Sequence, residues 1–497
     1  MELSFDLTPT FSSGLTLKDL MNASDLVNCE KSYVRQVSGW VKTVRSSSAT
    51  LYFCKINDGS TSKDFQIVLN TDNFSEDDLN EFSKKTQTGA FLKFEGYIVS
   101  SPAKGQKWEM NATSYEVIGD VADGYPLSKG KMNLDTLRNY YHLRPRTNTF
   151  SSVFRMRSNI IFSLHKFLHE RGFIHVDPNI ITVNECEGGA GVFQITEKEI
   201  DKQSGFHKWE DDHFEKKVFL TVSSQLNLEP FCMSMGNVYT MNKSFRSEHS
   251  NTAKHASEFT HLEIEMLTEK MSDIMDIGIG MVSYVAKKLL EECEDDIDSL
   301  DSFSSKGIKD RIKYLTEVDK DRYIISYEEA IKMINDDLTG KKCIDIVKKV
   351  EKQCGGKMSV LKMGDDLSSI YETYLTTKLD GPVFLTHFPF EQKSFYMRRT
   401  REKMEMTDSF DLLMPFGVGE LIGGSMREDD LKQLETSMEE KGIAGDSLEF
   451  YKDLRRFGSA PHGGFGLGVD RLIMLMTGMQ NIRDVIPIPV CYKQCKF

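Results

Sequence analysis

The chain has 497 residues, 39% of them hydrophobic and 28% charged, and its formal net charge is −13 at pH 7. A chain of this length is too long for one ordinary hydrophobic core and predicts two or three domains. The net negative charge argues against indiscriminate binding to nucleic acid but permits a local basic face. No stretch approaches about eighteen consecutive apolar residues and no basic segment leads into an apolar block at the N-terminus, so we expect neither a membrane span nor a secretory signal.

Five short segments rich in β-branched and aromatic residues follow a short N-terminal extension, residues 1–30. They span residues 33–41, 51–56, 65–69, 91–99 and 107–117. A polar stretch of helical character, residues 75–83, separates the third segment from the fourth. Because five strands with a helix after the third is the order of an OB-fold barrel, we predict an OB-fold over residues 31–118.

Residues 119–150 contain glycine and proline with little hydrophobic periodicity, which indicates a hinge or linker. Beyond it, apolar residues at helical spacing from Ile160 to Leu168 predict a helix that Gly172 ends. Strand-like and helical segments continue to the C-terminus and predict an α+β domain over 151–497. Its part at about 268–380 is polar and largely helical, and we assign that insertion no chemistry because charge runs are usually solvated helix faces.

A hairpin over residues 238–266 is the most informative segment. Its second strand begins at residue 258, and the two-residue period of a strand places Phe259, His261, Glu263 and Glu265 on one face. An aromatic ring beside two carboxylates suits a site for a purine and an ammonium group. Arg246 adds a cation at the end of the first strand. The alternative is the solvent-facing polar side of an ordinary antiparallel sheet.

Two later segments add candidate chemistry. Asp411 and Glu420 are carboxylates that could converge on Mg²⁺, which prefers one or two carboxylates plus substrate phosphates. The glycine-rich run 463–468 lets a backbone approach a ligand closely, and Arg471 follows it at a helix start. Taken alone, Asp411 and Glu420 could equally be ordinary carboxylates at strand ends. The glycine-rich run could equally serve tight packing between a strand and a helix.

The nine cysteines show no recurring spacing. Cys491 and Cys495 lie close together without a second Cys/His pair, so a zinc site there is the weaker alternative. Reduced thiols in a cytoplasmic protein are the favoured interpretation.

Together these segments resemble the three signature motifs of class II aminoacyl-tRNA synthetases, in the same order. Residues 153–178 are similar to motif 1, residues 245–259 to motif 2, and residues 466–471 to motif 3. An OB-fold ahead of these motifs is the arrangement of subclass IIb, the aspartyl, asparaginyl and lysyl enzymes. The resemblance implies a catalytic domain built on an antiparallel β-sheet flanked by helices, and a homodimer with Pro178 at its interface.

The resemblance also implies a nucleotide site. The residues it assigns to ATP are Arg246, Glu248, His255, Phe259, Glu420 and Arg471. Arg246 would hold the α-phosphate and the amino-acid carboxylate, while Phe259 and Arg471 would stack on the two faces of adenine. Asp411 and Glu420 would bind Mg²⁺. Arg246, Glu420 and Arg471 would thus act directly in catalysis.

The amino acid is implied by two positions. Aspartyl enzymes carry a lysine three residues after Gln225, where this chain has Leu228. Glu263 matches a glutamate that accepts from the substrate amide in asparaginyl enzymes, and Arg427 would donate to the amide oxygen. Glu187 and Gln225 would bind the α-ammonium. The predicted pocket then has an apolar side chain at 228 and an acceptor at 263, which favours L-asparagine and tRNA(Asn) as substrates.

In the predicted OB-fold, Phe53 and Gln66 match positions that stack on and read an anticodon base, and Arg45 would contact phosphates. The alternative for Phe53 is an aromatic residue of the barrel core. For the whole chain, the nearest rival is an aspartyl enzyme that does not discriminate between the two amino acids. The predicted OB-fold argues against a second rival, an ammonia-dependent asparagine synthetase paralogue. The intact set of predicted site residues argues against a third, a catalytically inactive tRNA-binding protein.

Overall fold

The computed structural model describes residues 16–23, 35–128, 132–184, 191–198, 208–304, 307–318, 323–340, 342–443 and 448–497. The chain divides into two compact units, Met1–Arg155 with Glu294–Phe303, and Met156–Cys293 with Ser304–Phe497. Within the described residues, no helix combines the length and the apolar character needed to cross a membrane.

The strands of the described residues, in chain order, are β1 (Arg35–Ser48), β2 (Leu51–Asn57), β3 (Phe65–Asn70), β4 (Phe91–Ser100), β5 (Trp108–Gly119), β6 (Ile174–His175), β7 (Ile181–Thr182), β8 (Gln194–Ile195), β9 (Val218–Leu220), β10 (Val238–Phe245), β11 (Glu258–Leu267), β12 (Tyr323–Ser326), β13 (Val383–Thr386), β14 (Arg399–Thr400), β15 (Lys403–Thr407), β16 (Ser409–Met414), β17 (Gly419–Met426) and β18 (His462–Gly468). The helices are α1 (Leu17–Asn22), α2 (Glu76–Lys85), α3 (Leu134–Leu137), α4 (Asn148–His169), α5 (Gln225–Met235), α6 (Met271–Glu292), α7 (Glu294–Ser304), α8 (Ile308–Leu315), α9 (Tyr327–Thr339), α10 (Ile344–Cys354), α11 (Ser369–Lys378), α12 (Leu431–Glu440), α13 (Glu449–Arg456) and α14 (Val469–Thr477).

The first unit is built on a closed barrel with strand order β1-β2-β3-β5-β4. Helix α2 lies between β3 and β4, and Ser75 begins it with a capping box that pairs with Asp78. Its Leu79 and Phe82 are fully buried against the barrel core. The predicted OB-fold, with a helix after the third strand, is therefore confirmed.

The alternation of side chains along β2 separates the core of the barrel from its outer face. Tyr52 and Cys54 belong to the buried core, whereas Phe53 between them is only half-buried. Arg45 on β1 pairs in register with Phe53. Phe53 thus points away from the core, and the alternative interpretation of it as a core aromatic is wrong.

The second unit is built on an eight-stranded sheet with the order β12-β13-β16-β17-β18-β11-β10-β6. The strands from β13 to β10 pair antiparallel, whereas the outer pairs β12–β13 and β10–β6 are parallel. The fold-class prediction, an antiparallel sheet flanked by helices, is confirmed for this central part.

Both faces of the hairpin β10–β11 are covered. Leu262 and Ile264, which point to one face, are 0% and 1% exposed, and Glu263 and Glu265, which point to the other, are 3% and 0% exposed. A solvent-facing polar side is therefore excluded. A charged face that is shielded from water needs partners, because an isolated buried carboxylate is costly.

Candidate active site

Two cavities of the second unit share part of their lining. The first is lined by Glu248, Lys254, His255, Phe259 and Arg471, among others, and the second by Gln225, Glu263, Lys393, Asp411 and Arg427, among others. Arg246, His261, Glu420 and Gly466 line both cavities. All residues that the sequence assigned to ATP thus line the first cavity, and the shared residues mark the junction at which two substrates could meet.

The sheet register places Glu263 and Asp411, which both line the second cavity, in one row across the sheet. Glu263 pairs with Gly466, Gly466 pairs with Gly423, and Gly423 pairs with Asp411. This row crosses β11, β18, β17 and β16, and its side chains share one face of the sheet. The two glycines leave the floor between the two carboxylates open for a ligand.

Gly466 is required at the centre of this row. A side-chain carbon there would collide with the imidazole of His261, at Nε2 and Cε1. A carbon at Gly423 would lie 3.2 Å from Glu420 Oε1 and 3.5 Å from Asp411 Oδ1. The carboxylates of Asp411 and Glu420 therefore approach the same point beside the cavity floor.

Asp411 is a carboxylate with charged side chains close to it. Its Oδ1 and Oδ2 accept hydrogen bonds from Lys393 Nζ at 3.0 and 3.1 Å. Burial raises the pKa of Asp411 to about 6, against the opposing effect of Lys393 and with a further contribution from Glu420. Lys393 had no part in the sequence prediction, since nothing in its local sequence marks it as the partner of Asp411.

Arg246 follows directly on β10. Its backbone N–H donates to the carbonyl of Ser257 at 3.0 Å, which closes the loop between the two strands. The guanidinium carbon lies 5.6 Å from the centre of the Phe259 ring. Burial lowers the pKa values of Lys254 and His255, which project from this loop into the first cavity. The loop thus presents several donors to one end of the first cavity.

A buried ion pair fixes the hairpin against α14. Asp470 accepts from the backbone N–H of Thr260 at 2.8 Å and from Arg157 Nη1 at 2.5 Å. Arg157 Nη2 also donates to the hydroxyl of Thr260 at 3.1 Å. Because Arg471 follows Asp470 on the same helix, this contact also sets the position of Arg471. The sequence offered no signal for Arg157.

Glu263 is held at the start of α5. Its Oε1 accepts from the Ser223 hydroxyl at 2.5 Å and its Oε2 from the Ser224 backbone N–H at 2.9 Å. His261 Nδ1 lies 3.5 Å from Oε1. The second cavity therefore contains a buried carboxylate that is held in place by donors from the start of α5.

Arg427 also lines this cavity and forms an ion pair that no local sequence pattern predicts. Its Nε and Nη2 each donate to Glu265 at 2.9 Å, and Nη1 donates to the Ser425 hydroxyl at 2.6 Å. Burial opposes its charge, yet the carboxylate of Glu265 raises the pKa of Arg427. Glu265, predicted to share a face with Glu263, thus serves Arg427 instead of facing the cavity directly.

A further buried carboxylate, Glu229, accepts hydrogen bonds from four side chains. The donors and distances are Gln225 Nε2 at 3.0 Å, Tyr451 Oη at 2.7 Å, Arg455 Nη2 at 3.0 Å and His462 Nε2 at 2.9 Å. Glu229, Glu265 and His462 come close enough to hold a metal ion. Arg427 and Arg455 already neutralise the two carboxylates, so we interpret the cluster as an ion-pair network that fixes Gln225.

Some predicted residues lie elsewhere. Leu228 is fully buried beside Cys232 and Val238 and, in the described part of the chain, lines neither cavity. The prediction that the side chain at 228 forms part of the pocket is therefore wrong: its turn of α5 faces the core. Glu187 lies outside the described residues. Gln66 Nε2 donates to Glu109 in the barrel at 2.9 Å, and the carbonyl of Pro178 accepts from Asn242 at 3.1 Å.

Comparisons with known proteins agree with this architecture. Residues 133–491 match the family model of tRNA synthetases class II (D, K and N), and residues 36–118 match that of the OB-fold nucleic acid binding domain. The chain is 39% identical over 468 residues to an asparagine--tRNA ligase of Acetivibrio thermocellus, an alignment that covers 93% of this chain and 95% of the relative.

Solved structures of similar proteins give the same result. An asparaginyl-tRNA synthetase of Pyrococcus horikoshii complexed with asparaginyl-adenylate has a TM-score of 0.77 at 28% identity, covering 92% of this chain and 95% of that one. The enzyme of Entamoeba histolytica in complex with asparaginyl-adenylate also has a TM-score of 0.77, at 26% identity, covering 95% and 98%. The chain therefore belongs to the class II tRNA synthetases of the D, K and N family.

Proposed function

We propose that this chain is an asparagine--tRNA ligase, which activates L-asparagine with ATP to asparaginyl-adenylate and transfers it to the 3′ end of tRNA(Asn). The observation that carries the proposal is the buried carboxylate of Glu263, which lines the same cavity as Arg246. Relatives that bear this activity in their names span nearly the whole chain.

The first cavity suits ATP. Phe259 and Arg471 offer an aromatic face and a planar cation for adenine, and Glu248 offers an acceptor for its amino group. His255, with Lys254 beside it, would bind the outer phosphates. Arg246 lies at the junction, where it would hold both the α-phosphate and the asparagine carboxylate in line for reaction.

The activation step needs no covalent enzyme intermediate. The asparagine carboxylate attacks the α-phosphorus, pyrophosphate leaves, and Arg246 stabilises the negative charge that develops at the α-phosphoryl oxygens. The terminal ribose hydroxyl of the tRNA then attacks the activated carbonyl, and AMP leaves. Arg246, Glu420 and Arg471 are the catalytic residues of this proposal.

The second cavity suits a neutral carboxamide. Glu263 would accept from the amide N–H of asparagine, and the N–H groups of Arg427 not used by Glu265 would donate to the amide oxygen. An aspartate carboxylate at the same place would face Glu263, and like charges in a desolvated site cost several kcal/mol, on the order of 1–5. Gln225, fixed by Glu229, and Glu187 would bind the α-ammonium.

The donor set also fits Mg²⁺. Asp411 and Glu420 approach the same point near Gly423, and hard carboxylate oxygens with substrate phosphates are the ligands Mg²⁺ prefers. When bound, Mg²⁺ supplies positive charge that offsets the charge of the triphosphate. Lys393 would then share Asp411 with the ion.

The barrel face with Arg45, Phe53 and Gln66 would bind the anticodon of the tRNA, with Phe53 stacking on a base.

The assembly would be a cytoplasmic homodimer with Pro178 at the interface. Phe162 on α4 and Ile174 on β6, 67% and 42% exposed, offer apolar surface that a twofold partner would cover. Light scattering at micromolar concentration should give twice the monomer mass.

The test of the proposed function is ATP–pyrophosphate exchange with asparagine or aspartate as the amino acid. We expect exchange with asparagine and little with aspartate, followed by charging of tRNA(Asn). Comparable exchange with both amino acids would favour the aspartyl rival. Exchange with aspartate but not asparagine, without transfer to tRNA, would favour the synthetase paralogue. No exchange at all would favour the inactive tRNA-binding protein.

A further inference from the structure

Glu372 lies on α11, in the helical segment to which the sequence assigned no chemistry. Its Oε2 accepts a hydrogen bond from the backbone N–H of Glu420 at 3.4 Å. Gly419, with φ +75°, precedes this contact, and a side-chain carbon there would collide with the same oxygen. Strand β17 therefore begins directly against the carboxylate of Glu372.

The other polar group of the Glu420 backbone is held from the opposite element. Arg471 Nη1 on α14 donates to the carbonyl of Glu420 at 2.6 Å. Glu372 thus binds the N–H and Arg471 the C=O of one residue. Since Glu420 lines both cavities, these two contacts set where its backbone lies at the junction.

Two cations of the first cavity face Glu372. The carbon that would collide with Glu372 at Gly419 would also lie 3.5 Å from Lys254 Nζ, so both groups approach one point. Burial and the carboxylate of Glu420 raise the pKa of Glu372 to about 7, whereas the positive charges of Lys254 and Arg471 oppose this rise. A carboxylate between two long, flexible cations limits the rotamers that those cations sample.

We propose that Glu372 is a positioning residue for amino-acid activation: it holds Lys254, Arg471 and the Glu420 backbone in the arrangement that the transition state requires. Glu372 lies behind the groups that line the cavities and acts through them, without touching substrate. This inference rests on the proposed function, because it takes Lys254 and Arg471 as ligands of ATP.

The variant that tests this role is Glu372→Gln. Glutamine keeps an acceptor for the Glu420 N–H but removes the charge that faces Lys254 and Arg471. Loss of a negative charge near the phosphates favours ATP binding, whereas freely moving cations stabilise the transition state less. We therefore expect kcat of asparagine-dependent exchange to fall on the order of tenfold, with KM for asparagine unchanged and KM for ATP unchanged or lower. Glu372→Asp should recover part of kcat.

Asp337→Asn is the matched control. Asp337 on α9 accepts from Tyr374 and Lys378 of the same helix α11, away from both cavities. This variant should lower the melting temperature without lowering kcat. A kcat of E372Q within twofold of wild type would overturn the proposal, as would a rise of both KM values together with a loss of melting temperature like that of D337N. If the wild-type chain shows no exchange, the proposed function fails instead.

Discussion

Glu265 and Arg427 meet through two parallel hydrogen bonds of 2.9 Å, one from Nε and one from Nη2. Both side chains are almost fully buried, at 0% and 2% exposure. Bidentate pairing fixes the plane of a guanidinium. The orientation of Arg427 in the second cavity therefore depends on a carboxylate 162 residues earlier in the chain.

Replacing Glu265 with glutamine should affect both stability and asparagine binding. Breaking a buried pair leaves an uncompensated charge and typically costs about 3–5 kcal/mol. We expect a loss of this order in the free energy of unfolding, measured with urea, and a higher KM for asparagine with little change in KM for ATP. A folded E265Q variant with the wild-type KM for asparagine would show that Arg427 is not oriented by Glu265.

Glu229 gives a prediction about pH. Burial alone would raise the pKa of Glu229, but Arg455 and His462 lower it overall. A carboxyl group with a lowered pKa in the folded state stabilises the protein above its unfolded pKa, and this contribution disappears as the pH falls through the folded pKa. The destabilisation caused by Glu229→Gln should thus be largest near neutral pH and should shrink below about pH 4.5.

The measurement is urea unfolding of the wild type and of the Glu229→Gln variant at several pH values between 7 and 3. Glu449→Gln serves as the control, because Glu449 pairs with Arg456 on the surface and exposed pairs contribute little. A difference between E229Q and wild type that stays constant over this pH range would contradict the assignment of Glu229 as a charged network centre.

Local sequence patterns were sufficient to predict some features of the fold and of the candidate site. Alternation along β11 predicted that Glu263 and Glu265 share a face, and the strand order of the barrel predicted the OB-fold. Side-chain partners that are distant in sequence could not be predicted in this way, because nothing local to Arg455 or Lys393 marks the carboxylate it meets. Leu228 was misplaced for a related reason: a position matched by motif does not reveal which side of a helix faces the core.

Gly466 should not tolerate a side chain. An added carbon would collide with His261, so Gly466→Ala must displace the imidazole or the strand at the junction of the two cavities. We expect lower kcat/KM for both ATP and asparagine. At Gly468 the atoms nearest to the added carbon would be side-chain atoms of Arg471, at 3.7 Å, which is ordinary van der Waals contact. Gly468→Ala should therefore lose less activity than Gly466→Ala. Equal activity of G466A and wild type in the exchange assay would contradict this packing.

Phe53 should act only in the step that uses tRNA. Stacking on a base contributes about 1–3 kcal/mol, so Phe53→Ala should weaken tRNA(Asn) binding by roughly this amount, measured by filter binding, and leave exchange without tRNA unchanged. Ile118, an exposed hydrophobic residue of β5, provides the control Ile118→Ala, which should bind tRNA normally. Unchanged affinity of F53A would place the anticodon on a different face.

We propose that the choice between asparagine and aspartate depends on the charge of Glu263. Glutamine at this position keeps the shape of the side chain and would remove the repulsion that, on this proposal, excludes a substrate carboxylate. The most direct test is the ratio of kcat/KM for asparagine to that for aspartate in ATP–pyrophosphate exchange, compared between wild type and Glu263→Gln. We predict a high ratio in the wild type and a fall on the order of tenfold or more in E263Q; an E263Q variant that stays active with the wild-type ratio would contradict the account.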